Sequence, residues 1–99
     1  MYELVNDDRK QELCKTLASN MATLRKKVNL KQQELADRLG LSRQNISAIE
    51  NGKQLMQWST FSLLVIFFSK DVEVKQIMAV MGILTAEVES ILDICAKRG

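Results

Sequence analysis

The chain has 99 residues, of which 46% are hydrophobic and 26% charged, and it contains no histidine and no proline. This length predicts one domain with a modest core, and the lack of proline with only four glycines favours helices over a turn-rich β fold. The formal net charge is +2, which is too small to indicate a nucleic-acid partner by itself.

The cysteines and the apolar runs exclude several other classes of protein. Because Cys14 and Cys95 are far apart and histidine is absent, we expect no metal site and no cofactor. The acidic residues 1–8 do not form a signal peptide, and the apolar run at residues 63–68 is too short to span a membrane. We therefore expect a cytoplasmic protein with reduced thiols and no membrane partner.

The positive charge is concentrated in the middle of the chain. Residues 15–53 carry eight basic and three acidic side chains, a net charge of +5, whereas residues 1–14 and 54–99 are net acidic. A phosphate-facing surface requires such a concentration, although a basic face exposed only to solvent would have the same composition.

The apolar spacing predicts three helices before residue 52. The first covers residues 8–27, either unbroken or with one break, and the second and third cover residues 31–39 and 43–51. Gly40 lies where the chain leaves the second helix, and Ser42 is a strong N-cap for the third. Two short helices joined by such a tight turn are typical of a helix-turn-helix, whose second helix enters the major groove of DNA.

The third predicted helix has two chemically different faces. Ile46 and Ile49 are expected to point into the core. The outward side chains can read base edges and none of them is acidic: Arg43, Gln44, Asn45, Ser47 and Ala48.

The remainder of the chain predicts further helices. A fourth helix at residues 58–69 is apolar nearly all round, so we expect it to be covered on more than one side. Two stripes follow, one at Val74, Ile77, Met78 and Met81 and one at Val88, Ile91, Leu92 and Cys95. The fold class is therefore all-α, with residues 1–70 as the DNA-binding part. Residues 71–99 are interpreted as a helical hairpin that completes the core and dimerises, although it would serve equally to close only the monomer.

The string LKQQELADRLGLSRQNISAIENGK, at residues 30–53, resembles the phage-repressor-like helix-turn-helix family, also called Cro-type or xenobiotic-response-element. The resemblance covers residues 17–69. It implies a lambda-repressor-like bundle of four or five helices that binds double-stranded DNA, usually as a dimer. The implied activity is sequence-specific regulation of transcription, most often repression.

The resemblance also assigns roles to individual residues. It places Arg43, Gln44 and Ser47 against bases. Asn45 is placed for either a base or a phosphate, and Ala48 for a thymine methyl group. It places Gln32, Ser42, Asn51 and Lys53 at phosphates and allows Gln32 to brace Arg43. Plain surface polarity is the alternative for Gln32, Asn51 and Lys53. Arg25 and Glu50 match a partly buried ion pair. The chain departs from the family pattern at Lys31, where an N-cap Ser or Thr is usual, and in its uncharged loop at residues 54–58.

Three classes of function follow from these residues. The favoured function is a dimeric, sequence-specific DNA-binding repressor. The alternative is an antitoxin or adaptor whose apolar C-terminal helices hold another protein and whose DNA binding is secondary. An enzyme is poorly supported, because the sequence offers no histidine, no nucleophile with a nearby base and no phosphate-binding glycine loop.

Overall fold

The computed structural model describes residues 6–84 and Val88, and within them it contains five α-helices and no β-strand. The helices are α1 (Asp7–Lys27), α2 (Gln32–Leu39), α3 (Arg43–Glu50), α4 (Trp58–Phe68) and α5 (Val72–Val80). The predicted all-α class is confirmed, and each of the first four helices lies within about one residue of its predicted bounds. The second helix of the predicted C-terminal hairpin lies outside the described residues, apart from Val88.

Helix α1 is unbroken over its 21 residues and forms one wall of the core. The side chain of Asn6 caps it by accepting a 2.8 Å hydrogen bond from the Arg9 backbone N–H. Acidic residues occupy its first turn and basic residues its last, which complements the helix dipole. Its buried face holds the predicted apolar residues Leu13, Leu17, Met21 and Leu24, together with Cys14.

Helix α4 buries one broad face and exposes the other. Phe61, Leu64, Val65 and Phe68 are at most 1% exposed and lie in the centre of the core. Leu63 and Ile66, however, remain 45% and 40% exposed. The prediction that α4 is covered on more than one side was therefore too strong for these two positions.

Helix α5 packs onto the same core. Its N-cap is Asp71, whose carboxylate accepts a 3.1 Å hydrogen bond from the Val74 backbone N–H. Val74 and Met78 of the predicted stripe are buried, whereas Val72 and Val80 are 70% and 89% exposed. Ile83, Leu84 and Val88 belong to the same hydrophobic cluster as α1 and α4.

The single tryptophan joins α4 to the beginning of α1. The Trp58 ring stacks on Phe61 with 4.7 Å between centroids, and the Lys10 ammonium lies 5.5 Å from the Trp58 ring centroid. Among the described residues, no helix is both long enough and apolar enough to cross a lipid bilayer.

Candidate nucleic-acid interface

The turn between α2 and α3 brings the two helices into close contact. Gly40 ends α2 in the left-handed conformation, with φ +71°, which a residue without a Cβ adopts at least cost. The Leu41 backbone N–H then donates to the Ala36 carbonyl at 2.9 Å. Because Ala36 is small and fully buried, α3 can cross α2 closely at this point.

Helix α3 presents one face to the core and the other to solvent. Ser42 caps it by accepting a 3.0 Å hydrogen bond from the Asn45 backbone N–H. Ile46 and Ile49 are 0% and 2% exposed, so they fix the rotation of the helix about its axis. This inward orientation is the one that the apolar spacing predicts.

The opposite face carries the predicted base-reading residues. Arg43 and Gln44 are exposed, and within the described part of the chain neither side chain has a hydrogen-bond or ion-pair partner. Asn45, Ser47 and Ala48 are half-buried on the same helix. The structure therefore places all five on one helix, with the polar groups of Arg43 and Gln44 unpaired among the described residues, while their contacts with DNA remain a prediction.

The predicted phosphate-contacting residues at the end of α3 are held by backbone hydrogen bonds. Asn51 is the C-cap, and its side-chain amide donates to the Ser47 hydroxyl at 3.3 Å. The backbone N–H groups of Lys53 and Gln54 both donate to the Ala48 carbonyl, at 2.8 and 3.2 Å. The exposed Lys53 side chain thus projects from a fixed backbone beside α3.

The N-terminus of α2 differs from the family pattern in a physically clear way. A lysine side chain has no acceptor, so Lys31 cannot cap the helix through its side chain. Instead, the Lys31 backbone N–H donates to the Glu34 carboxylate at 2.9 Å, which is one half of a capping box. Glu34 therefore caps the beginning of α2, as the sequence predicts.

The side chain of Gln32 has a different partner from the one that the resemblance suggests. Its amide donates to the Glu50 carboxylate at 3.0 Å, rather than bracing Arg43. A hydrogen bond to a charged acceptor is stronger than one between neutral groups, and the Glu50 carboxylate lies within reach of this amide. Gln32 therefore links the beginning of α2 to the end of α3.

Glu50 also pairs with Arg25 and so connects α1 to α3. The Nε and Nη2 atoms of Arg25 lie 2.9 and 3.1 Å from the two Glu50 carboxylate oxygens, a bidentate arrangement. The two side chains are only 12% and 7% exposed. Arg25 Nη1 also donates to the Leu30 carbonyl at 3.0 Å, a contact that sequence reasoning missed.

These hydrogen bonds also shape the charge of the surface. The Glu50 carboxylate is buried and neutralised by Arg25, so it contributes little negative field on the α3 face. The exposed basic residues on and around the two helices are Lys31, Arg38, Arg43 and Lys53. The exposed face of α3 is therefore suited to an anionic polymer.

This arrangement defines a class: a DNA-binding transcriptional regulator built on a helix-turn-helix, whose second helix is exposed along its polar face. The family model described as helix-turn-helix matches residues 21–55. The chain is also 40% identical over 60 residues to the ImmF control region 10 kDa protein of Bacillus phage phi105, a match that covers 61% of this chain and 67% of that relative. No solved structure matches significantly.

The chain belongs to the Cro-type helix-turn-helix family. The suspected resemblance and the lambda-repressor-like fold class are confirmed. The family binds double-stranded DNA, in agreement with that part of the predicted partners.

Proposed function

We propose that the protein is a dimeric repressor that acts in the cytoplasm by occupying a near-palindromic DNA operator. One observation carries this proposal: Ile46 and Ile49 hold α3 against the core, while Arg43 and Gln44 remain exposed with no intramolecular partner in the described residues. A helix fixed in this way directs its polar side chains towards an external ligand, and the major groove accepts one helix.

Each predicted contact has a chemical reason. The Arg43 guanidinium can donate two hydrogen bonds to guanine N7 and O6, and the Gln44 amide can pair with adenine N7 and N6. Asn45 and Ser47 extend the polar surface, and the Ala48 methyl group can contact a thymine methyl group.

Phosphate contacts would fix the register of α3 in the groove. The backbone amide at Gln32 and the Ser42 hydroxyl lie at the beginnings of α2 and α3, where the helix dipole favours an anion. Asn51 and Lys53 lie at the far end of α3. These residues would therefore contact the DNA backbone near both ends of α3.

We expect selection from a random pool of DNA duplexes to recover near-palindromic sites. Two-fold symmetry would place the two copies of α3 about 34–36 Å apart, which is one helical turn of DNA. The recovered sequences are read by high-throughput sequencing, with the Gln44→Ala variant as a matched control in which one position of each half-site loses its preference. Recovery of single half-sites without symmetry would contradict the dimeric arrangement.

A groove on α5 supports a second copy of the chain as the dimer partner. The groove has a volume of about 420 Å³ and an apolar floor that includes Ile77, Val80 and Met81. Lys27 and Glu73 line it as well, so it carries both signs of charge. In a two-fold interface, Lys27 of one copy can face Glu73 of the other, which makes the surface self-complementary. In this proposal, residues 71–99 complete the core and also form the dimer contact.

We expect the Val80→Lys variant to be monomeric at micromolar concentrations at which the wild type is a dimer, as measured by sedimentation velocity. Val80 is 89% exposed and lines the groove, so a buried ammonium would oppose association. Val72→Lys is the matched control, because Val72 is 70% exposed on the same helix but does not line the groove. A monomeric wild type, or a dimer that survives in Val80→Lys, would rule out this interface.

A second candidate function is favoured by the exposed apolar side chains Leu63, Ile66, Val72 and Val80. An antitoxin or adaptor would use such a surface to hold another protein. In that case the purified chain would aggregate alone and become monodisperse only with its partner. The relative from Bacillus phage phi105 is named as a control-region protein, which instead supports a regulatory role on DNA for this chain.

A further inference from the structure

A cavity of about 560 Å³ lies between α1 and the segment that follows α3. On α1 its wall is formed by residues at positions 11, 14, 15 and 18, which lie one above the other on a helix. Two of these, Cys14 and Ala18, have small side chains, so they leave space against Ile49 and Met56 on the opposite wall. The volume lies within the range of about 300–1,000 Å³ that small-molecule sites occupy.

The mouth of the cavity is apolar and poorly covered. Leu55 lines it and is 79% exposed, although it lies in a segment otherwise fixed by hydrogen bonds to the end of α3. Exposure of most of an apolar leucine side chain to water is unfavourable. A ligand with an apolar body would cover Leu55 and pack against the already buried Met56.

The charge of the residues that line the cavity indicates which head group such a ligand would carry. Among the described residues that line the cavity, the one charged side chain is that of Lys15. No carboxylate belongs to this lining. The Cys14 thiol stays neutral because burial raises its pKa above the usual value. The side-chain amides of Gln11 and Gln54 offer further hydrogen-bond donors. A negatively charged head group therefore fits the cavity better than a positive one.

We propose that this cavity binds a small organic anion with an apolar body, of the chemical class of medium-chain carboxylates, and that the bound anion weakens DNA binding. The second part rests on the proposed function. Gly52 and Gln54 line the cavity and flank Lys53, the proposed phosphate contact, so the cavity and that contact share one loop. A negative charge bound beside this loop would repel the approaching DNA backbone. Linkage requires that DNA weakens anion binding by the same factor.

The site is tested by titrating the full chain with decanoate and following backbone amides by ¹H–¹⁵N NMR. We expect saturable shifts concentrated at residues 11–19 and 49–56, and weaker binding of 1-decanol, which has the same chain without the charge. Lys15→Gln should weaken decanoate binding by about threefold to fivefold, whereas the matched control Lys75→Gln on α5 should leave it unchanged. Ala18→Leu, which fills the cavity, should weaken it by about tenfold.

The proposed site is overturned if decanoate does not saturate, if the shifts centre on the α5 groove, or if Lys75→Gln weakens binding as much as Lys15→Gln. Lys15 is exposed, so its variant keeps the test decisive even if Ala18→Leu fails to fold.

The coupling to DNA is tested separately with an operator obtained by selection. Saturating decanoate should lower the affinity of the wild type for this DNA by about fivefold or more, and should have little effect on Ala18→Leu. If decanoate binds but the DNA affinity is unchanged, the cavity is a site without a regulatory role and the coupling is wrong. If the chain selects no DNA at all, the proposed function fails while the NMR titration still decides whether the cavity binds the anion.

Discussion

Replacing Glu50 with alanine is expected to lower the free energy of unfolding by about 3–5 kcal/mol, as removal of one partner from a buried ion pair typically does. The Arg25 side chain is 12% exposed in the intact fold, and the substitution leaves its guanidinium without a carboxylate partner. It also removes the acceptor of the Gln32 amide, so α1, α2 and α3 lose a shared attachment. Urea unfolding followed by circular dichroism measures the effect.

The control is the exposed ion pair on α1. Glu12 and Arg9 lie 3.5 Å apart with side chains 70% and 36% exposed, so Glu12→Ala should cost no more than about 1 kcal/mol. The folded fraction of Glu50→Ala should still prefer the same DNA sequence as the wild type, because the reading side chains are unchanged. An unchanged melting temperature for Glu50→Ala would show that the buried pair does not hold the helices together.

Replacing Arg43 with alanine is expected to relax the base preference at one position in each half-site by about 1–3 kcal/mol. Arg43 is exposed at the beginning of α3, and the proposed bidentate hydrogen bonds of its guanidinium with guanine would be the strongest base contact of this helix. Fluorescence anisotropy with operators that differ at single base pairs measures the change in discrimination. Since the Arg43 side chain has no hydrogen-bond or ion-pair partner among the described residues, the stability of the protein should change little.

Lys53→Ala is the matched control, because it removes one positive charge from the same surface without removing a proposed base contact. It should weaken binding to all sequences alike and reduce the slope of log affinity against log salt concentration by about 1. If Arg43→Ala and Lys53→Ala change binding in the same way, the assignment of α3 to the major groove is wrong.

The helices and the orientation of α3 were predictable because they depend on local spacing. Ile46 and Ile49 are three residues apart, so they share one side of a helix whatever surrounds it. Gly40 and Ser42 mark the turn through their own backbone and side-chain chemistry. These local signals place the proposed reading face without reference to the remainder of the chain.

The features that escaped prediction depend on contacts between distant segments. Gln32 is close to Glu34 in the sequence, yet its amide donates to Glu50, 18 residues away, because the packing of the helices brings these two side chains together. Similarly, the space beside Cys14 and Ala18 exists because the loop after α3 passes over small side chains. The exposure of Leu63 and Ile66 on an otherwise apolar helix also follows from how far the neighbouring helices extend, which spacing alone does not specify.

The first turn and the last residue of α3 have different roles, and this difference has an evolutionary consequence. The side-chain hydrogen bonds that join this helix to α1 and α2 are made at its last residue, Glu50. The side chains of Arg43 and Gln44, in its first turn, have no hydrogen-bond or ion-pair partner among the described residues. Mutations in the first turn can therefore accumulate with little loss of stability. Descendants of one such protein can diverge quickly in the genes they control while the scaffold stays the same.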